Sequence, residues 1–379
     1  MTTTPYFNMN KQRILEAVLG IGPEEFELWP EDKQELALEI ASELYLLRCN
    51  PFIHPQIVKN RVYEQLENKA SDLTTSYYQF LDKKIAAFLE HVESLSELQS
   101  KVKSKISQVL AEDNVLDSPH TLIQNSTDAT GLMMELPLLV VFPENTKQIQ
   151  EIVKLANEYQ FSIVPRGGGS GLTGGAVPAL SNVVILSLSR LKKIYEIDRE
   201  NMTMHAQCGV ITKDAIQAAE TMGLLFTVDP ASKAASSLGG NISENAGGPY
   251  AFEYGTTLDN ILSYRMVLPQ GNIIDVKRKN HPRHKIYPDD EVEFEIFDES
   301  GNQLDTISLF GHDIRSPQLG KDVTNKFLGG LPGIQKEGVD GIITEVVFIL
   351  HPSLKHSRTI CLEFFGSSMH NAALVIEDL

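Results

Sequence analysis

Between Arg166 and Gly175 the chain reads Arg-Gly-Gly-Gly-Ser-Gly-Leu-Thr-Gly-Gly, directly after the strand-like Ser162 to Val164. A run with so little side chain builds no core of its own. Consecutive glycines reach φ angles closed to other residues, so successive backbone N–H groups turn into one concavity, an anion nest suited to a diphosphate. Ser170 and Thr173 add hydroxyl donors, and Arg166 adds charge. A flexible linker is the bland alternative, but linkers are rarely wedged between two buried strands, and Val183 to Leu188 reads as the next one.

Two other phosphate loops fail on the same residues. Gly169, Gly171 and Gly174 satisfy G-x-G-x-x-G, but a Rossmann loop opens a helix, and Gly175-Ala176-Val177-Pro178 cannot continue as one. A P-loop needs Gly-Lys-Ser or Gly-Lys-Thr, and this loop has no lysine. A second glycine-rich segment weighs against the linker. Asp229-Pro230 is followed by Ser236-Ser237-Leu238-Gly239-Gly240-Asn241-Ile242-Ser243-Glu244-Asn245-Ala246-Gly247-Gly248. Small residues let backbone approach a flat ligand, while Asn241, Ser243 and Asn245 offer hydrogen bonds to ring edges or a sugar chain.

Around these loops the periodicity sets the frame. Lys11 to Leu110 is helical throughout: Leu36, Ile40, Leu44 and Leu47, then Tyr77, Leu81, Ile85 and Phe88, recur at helical spacing and predict four or five helices. From Leu138 strands and helices alternate. Leu138 to Phe142 is a strand, Asn145 or Thr146 caps a helix with Ile149, Ile152, Val153 and Ala156 inward, and Ser162 to Val164 completes a βαβ unit. Lys213 to Met222 reads as a helix ended by Gly223, and Leu224 to Val228 as a strand. Beyond Val276 a polar stretch contains a β-hairpin insertion, Val292 to Phe297 and Leu304 to Leu309, positioned to cover the ligand or meet a partner. Ile342 to Leu350 is a buried strand, and Thr359 to Leu379 begins a strand and a helix.

Composition narrows the function. A formal net charge of −17 argues against nucleic-acid binding, which depends on clustered Lys and Arg. Cys49, Cys208 and Cys361 are too far apart to suggest a disulfide framework, a zinc site or an iron–sulfur cluster, so no metal is expected. No apolar run nears the ~20 residues of a transmembrane helix, and Met1 to Asn10 lacks a secretory pattern, so the cytoplasm is the default, with peripheral membrane attachment through a partner left open.

The residues so far resemble the FAD-binding domain of the vanillyl-alcohol oxidase superfamily, the PCMH-type FAD domain, in its D-lactate dehydrogenase and glycolate oxidase subunit branch. The resemblance rests on Val141-Phe142-Pro143, Arg166 to Gly175, Asp229-Pro230, Gly239 to Gly248, Tyr254-Gly255, Val267 to Gly271 and Gly341-Ile342-Ile343-Thr344-Glu345. It implies an α+β fold: a PCMH-type FAD-binding domain of two α/β subdomains, preceded by an all-α amino-terminal region. The expected division is a helical region over 1–112, the FAD-binding domain over 113–352 with an insertion at about 278–335, and the start of a truncated substrate or cap domain over 353–379.

The cofactor implied is FAD. Its contacts carry over to Arg166, Gly167, Gly168, Gly169, Ser170, Gly171, Leu172 and Thr173, to Asp229, Pro230, Ser236, Gly239, Gly240, Ser243, Asn245 and Gly247, and to Ile342 and Ile343. Members with covalent flavin often have His inside the first loop, where this chain has Gly169, Ser170 and Gly171, so noncovalent FAD is expected. The resemblance implies oxidation of a small 2-hydroxy acid by hydride transfer to flavin N5. Two departures matter. Lys336 to Gly341 replaces the family's Ser-Glu-Gly-Thr-Leu-Gly, and the downstream Gly-Glu-His-Gly region and Cys-rich segments are missing. The competing reading is therefore an FAD-binding subunit or fragment without independent turnover, needing a second chain with the cap domain and iron–sulfur clusters or an electron-acceptor protein. Of His205, His312, His351 and His356, none is singled out as catalytic.

Overall fold

The computed structural model describes residues 11–132, 135–315, 325–358, 360–366 and 369–378. Five helices open the chain: Lys11–Leu19, Pro23–Glu27, Glu31–Cys49, Pro55–Asn68 and Thr75–Ile106. Leu36, Ile40 and Leu44 of the third bury against Val58, Val62 and Leu66 of the fourth and Tyr77, Leu81 and Ile85 of the fifth in one apolar cluster. The fifth helix is 32 residues long, about 48 Å at 1.5 Å per residue. Its far end, Val102 and Ile106, belongs to a different cluster, with Leu139, Val141, Ile149 and Ile152. A single rod thus joins the helical start to the α/β portion.

The first sheet holds β1 (Val115–Leu116), β2 (Leu139–Val141), β3 (Ser162–Arg166) and β4 (Val183–Ser187), in the order β1-β2-β4-β3. β2 and β3 both run parallel to β4, so the helix Thr146–Tyr159 crosses over one intervening strand. Asn145 starts that helix: its side-chain oxygen accepts from the Gln148 N–H at 3.0 Å. The inward stripe Ile149, Ile152 and Val153 is buried, each side chain contributing roughly 1.5–3 kcal/mol.

The second sheet has seven antiparallel strands. β5 (Ile194–Asp198), β6 (Thr203–Gln207), β8 (Ile261–Val267), β9 (Ile273–Lys279), β10 (Glu291–Asp298), β11 (Gln303–Phe310) and β12 (Ile342–Ile349) lie in the order β11-β10-β9-β8-β12-β6-β5. The hairpin insertion is therefore an extension of this sheet at one edge, with Val292 and Phe294 in its core.

Two expectations change. The strand from Leu224 to Val228 shrinks to β7 (Leu224–Leu225), because its partner, β13 (His351–Pro352), offers only two residues to pair with. Phe226 and Val228 stay buried outside it. No strand forms over 360–366 among the described residues, and Ile360, Leu362 and Phe365 are exposed there. The helix His370–Asp378 does form, while Thr359 lies outside the described residues.

Candidate functional site

The first glycine loop leaves the carboxyl end of β3, where ligands of open α/β sheets gather. No helix follows it directly, in agreement with the sequence. The second segment winds into the short helix Leu238–Ser243, started by Ser237, whose hydroxyl accepts from the Gly240 N–H at 3.2 Å. The two segments touch. A Cβ on Gly168 would stand 1.8 Å from the Ala235 carbonyl oxygen, so only glycine permits this approach. Gly169 adopts φ +63, and a Cβ there would meet the Arg166 guanidinium at 2.3 Å.

Between them opens a cavity of about 320 Å³, walled on its third side by the start of β12 and the residues before it. Its lining includes Gly167, Gly168, Gly169, Ser170, Gly171, Leu172, Thr173, Ser236, Gly239, Gly240, Ser243, Ile342 and Ile343. Five residues carried over with these lie outside the lining. Arg166 donates to the Ala176 carbonyl at 3.2 Å, and burial lowers its pKa against the pull of Asp128. Asp229 packs beneath Gly248, whose Cβ would stand 2.2 Å from it, and Pro230 is buried beside it. Gly247 packs on Ala251 and Thr256. Asn245 points inward, its side-chain oxygen accepting from the Leu258 N–H at 2.9 Å. Asn241 does line the cavity, although its amide donates to the Thr212 hydroxyl at 2.8 Å.

The two segments differ in what their backbones have left to offer. In the second, Leu238, Gly239 and Ala246 donate their N–H groups to Val210, Cys208 and Asn241 carbonyls. In the first, among the described residues, no N–H from Gly167 to Ala176 donates to an acceptor within the chain. A row of unspent donors beside a cavity is what a polyanion needs. The first loop thus supplies the donors and the second a close wall of small side chains.

Sequence reasoning passed over Leu188, Ser232, Ser237 and Glu337, which also line the cavity. Ser237 carried a signal, a helix-starting residue before Leu238, and Ser232 lies between Asp229-Pro230 and Ser236, whereas Leu188 and Glu337 are brought by distant segments. Glu337 arrives because its N–H donates to the Ser243 carbonyl at 3.0 Å, and the Gln335 N–H to Ile242 at 3.1 Å. The divergent stretch Lys336 to Gly341 is thereby stitched onto the second glycine segment. Glu244 faces the loop too, accepting from the Thr173 hydroxyl at 3.0 Å.

The histidines are elsewhere. His351 is buried against Asn260 at 3.0 Å, and burial pushes it down to about 4. His205 pairs with Glu345 at 3.3 Å on the open face of the seven-stranded sheet. His312 and His356 are exposed. Among the described residues no His, Cys, Asp and Glu group is arranged to hold a metal, and no helix is long and apolar enough to cross a membrane.

Residues 137–277 match the family model described as an FAD binding domain. The glycolate oxidase subunit GlcD of Bacillus subtilis is 32% identical over 278 residues, 73% of this chain and 50% of the relative. D-lactate dehydrogenase of Anaerostipes hadrus is 40% identical over 138 residues, 36% of this chain and 29% of the relative. D-2-hydroxyglutarate dehydrogenase of Stutzerimonas stutzeri is 33% identical over 174 residues, 46% and 37%. The chain spans half or less of the length of these relatives.

Proposed function

We propose, from the premise that residues 137–277 belong to the FAD binding domain family, that this chain is the flavin-holding portion of an enzyme that oxidises a 2-hydroxy acid. The observation that carries the reading is the row of unspent N–H donors from Gly167 to Ala176 at the cavity wall. These donors, with the Ser170 hydroxyl, hold the diphosphate of FAD, while the Thr173 hydroxyl donates to Glu244. Gly239, Gly240 and Ser243 form the wall opposite, and Ile342 and Ile343 the side. Asp229, Pro230, Asn245 and Gly247 shape that wall from behind, and Arg166 holds the loop's conformation.

FAD is held without a covalent bond. When bound, FAD would supply the redox chemistry, as a hydride acceptor for oxidation of the 2-hydroxy group. The names of the relatives support a D-lactate or glycolate type of substrate. The domain division is a helical region over 1–112, the FAD-binding domain over 113–352 with an insertion at about 278–335, and a third portion over 353–379.

One observation favours a second reading, an FAD-binding subunit that turns over only with a partner chain. The cavity lining contains no histidine, and the relative from Bacillus subtilis, named as a subunit, is twice as long as the matched stretch. A partner would then bring the substrate site and pass electrons onward. Purified protein is expected to be yellow and to release FAD, not FMN, on denaturation; a colourless protein that takes up no added FAD rejects both readings. Anaerobic bleaching by D-lactate or glycolate supports the first, and indifference to every 2-hydroxy acid the second.

A further inference from the structure

The amino-terminal helices line none of the cavity, yet one partly buried ion pair connects them to a residue held at the end of the loop that does. Arg48, at the end of the helix Glu31–Cys49, donates through Nε to Glu135 Oε2 at 3.3 Å, while Nη2 pairs with Oε1. Its Nη1 donates to the Ala17 carbonyl at 2.7 Å, which ties the guanidinium to a second helix. The Glu135 side chain is only 7% exposed while that of Arg48 is 24% exposed, so the carboxylate is buried and depends on the guanidinium that reaches it.

Glu135, and described residues from Ala129 to Leu132, touch the glycine loop and its end. The Glu135 N–H donates to the Pro178 carbonyl at 3.2 Å, just past the loop's end. The Ala129 N–H donates to the Gly169 carbonyl at 3.0 Å, in its middle. Leu132 lies 3.8 Å from the position a Cβ on Gly174 would take. Among the described residues the loop's own N–H groups donate to nothing, so its shape depends on such contacts to its carbonyls.

We propose that the Arg48–Glu135 pair braces the glycine loop from outside the cavity, and that the amino-terminal helices thereby set how tightly the chain holds flavin. Arg48 is a positioning residue, and its effect on affinity rests on the reading that this loop holds FAD. Removing Arg48 leaves the Glu135 carboxylate buried and uncompensated, and removing the Glu135 charge frees Arg48, so either change loosens Glu135 and with it the loop's anchor at Pro178.

The test uses the full chain with Arg48→Met, Glu135→Gln, the pair combined, and the milder Arg48→Lys. Hydrogen exchange of the Ala129, Glu135 and Val177 amides, which donate to the Gly169, Pro178 and Gly174 carbonyls, is followed without flavin, and FAD affinity by fluorescence. Faster exchange of these loop-holding amides and an FAD dissociation constant raised about tenfold are expected for either single variant. The double variant is expected to be no worse than the single ones, and Arg48→Lys to recover part of the loss. Unchanged exchange of these amides, with only the melting of the helical region lowered, overturns the proposal. Should the wild type bind no FAD, the reading of the cavity fails on its own, and the exchange data still decide whether the pair braces the loop.

Discussion

Adding a single methyl group at Gly168 tests the closeness of the two glycine segments. The φ of Gly168 lies outside the left-handed range, so alanine there carries no backbone strain, and contact alone decides the outcome. Its Cβ would stand 1.8 Å from the Ala235 carbonyl oxygen and 2.7 Å from the carbonyl carbon. Restoring an ordinary contact of 3.4 Å parts the segments by about 1.6 Å. Ala235 cannot yield easily. Its N–H and that of Ser236 both donate to the Ser232 carbonyl at 2.8 Å, and the Thr212 N–H donates to Ser236 at 2.9 Å. Overpacking of this kind costs about 1–3 kcal/mol. Expressed wholly at the cavity, that weakens FAD binding about 5- to 150-fold. Gly171→Ala is the control: its Cβ would lie 3.1 Å from Glu244 Oε1, the movable end of a side chain, and the expected loss is under about threefold. Fluorescence titration of both variants, with thermal unfolding alongside, reads the difference. Wild-type affinity in Gly168→Ala, or an equal loss in Gly171→Ala, refutes the account of the shared crevice.

Burial raises the Glu244 carboxyl above its usual pKa, against a lowering by the Thr173 hydroxyl and with Glu337 and Asp128 adding to the rise. Lower pH then neutralises a charge facing the diphosphate. FAD should bind more tightly as the pH falls through the raised Glu244 pKa, and Glu244→Gln should bind more tightly above it with the slope removed; a slope that survives in the variant counts against this. Burial holds His281 at about 3 and His351 at about 4, below the usual 6.5. The unfolded chain takes up protons the folded one refuses, so stability is full above pH 6.5 and falls as the pH drops towards 4. Thermal unfolding across that window checks the sign, and His351→Phe should flatten the curve. The Asp259 carboxylate is fully buried, paired with Arg315, and accepts from the Ile286 N–H at 2.8 Å. Arg315→Met is expected to cost about 3–5 kcal/mol in urea unfolding, and a loss under about 1 kcal/mol would show the pair to be dispensable.

Local order was readable in the residues themselves. The stripe Leu36, Ile40 and Leu44, the Asn145 start of a helix, the hairpin around Asp298 to Asn302 and the glycine run all express preferences of a few neighbouring residues. So was the class of ligand, because a run of glycines after a strand has few uses beyond holding an anion. Tertiary structure alone decided where side chains went and which amides remained free. It turned Asn245 towards Leu258, brought Glu337 to the cavity, spent the donors of Leu238, Gly239 and Ala246 in the second glycine segment while leaving those of the first, and tied Arg48 to Glu135 across 87 positions. These outcomes depend on pairings between segments far apart along the chain, and periodicity, which reports only what lies within a few residues, carries no trace of them.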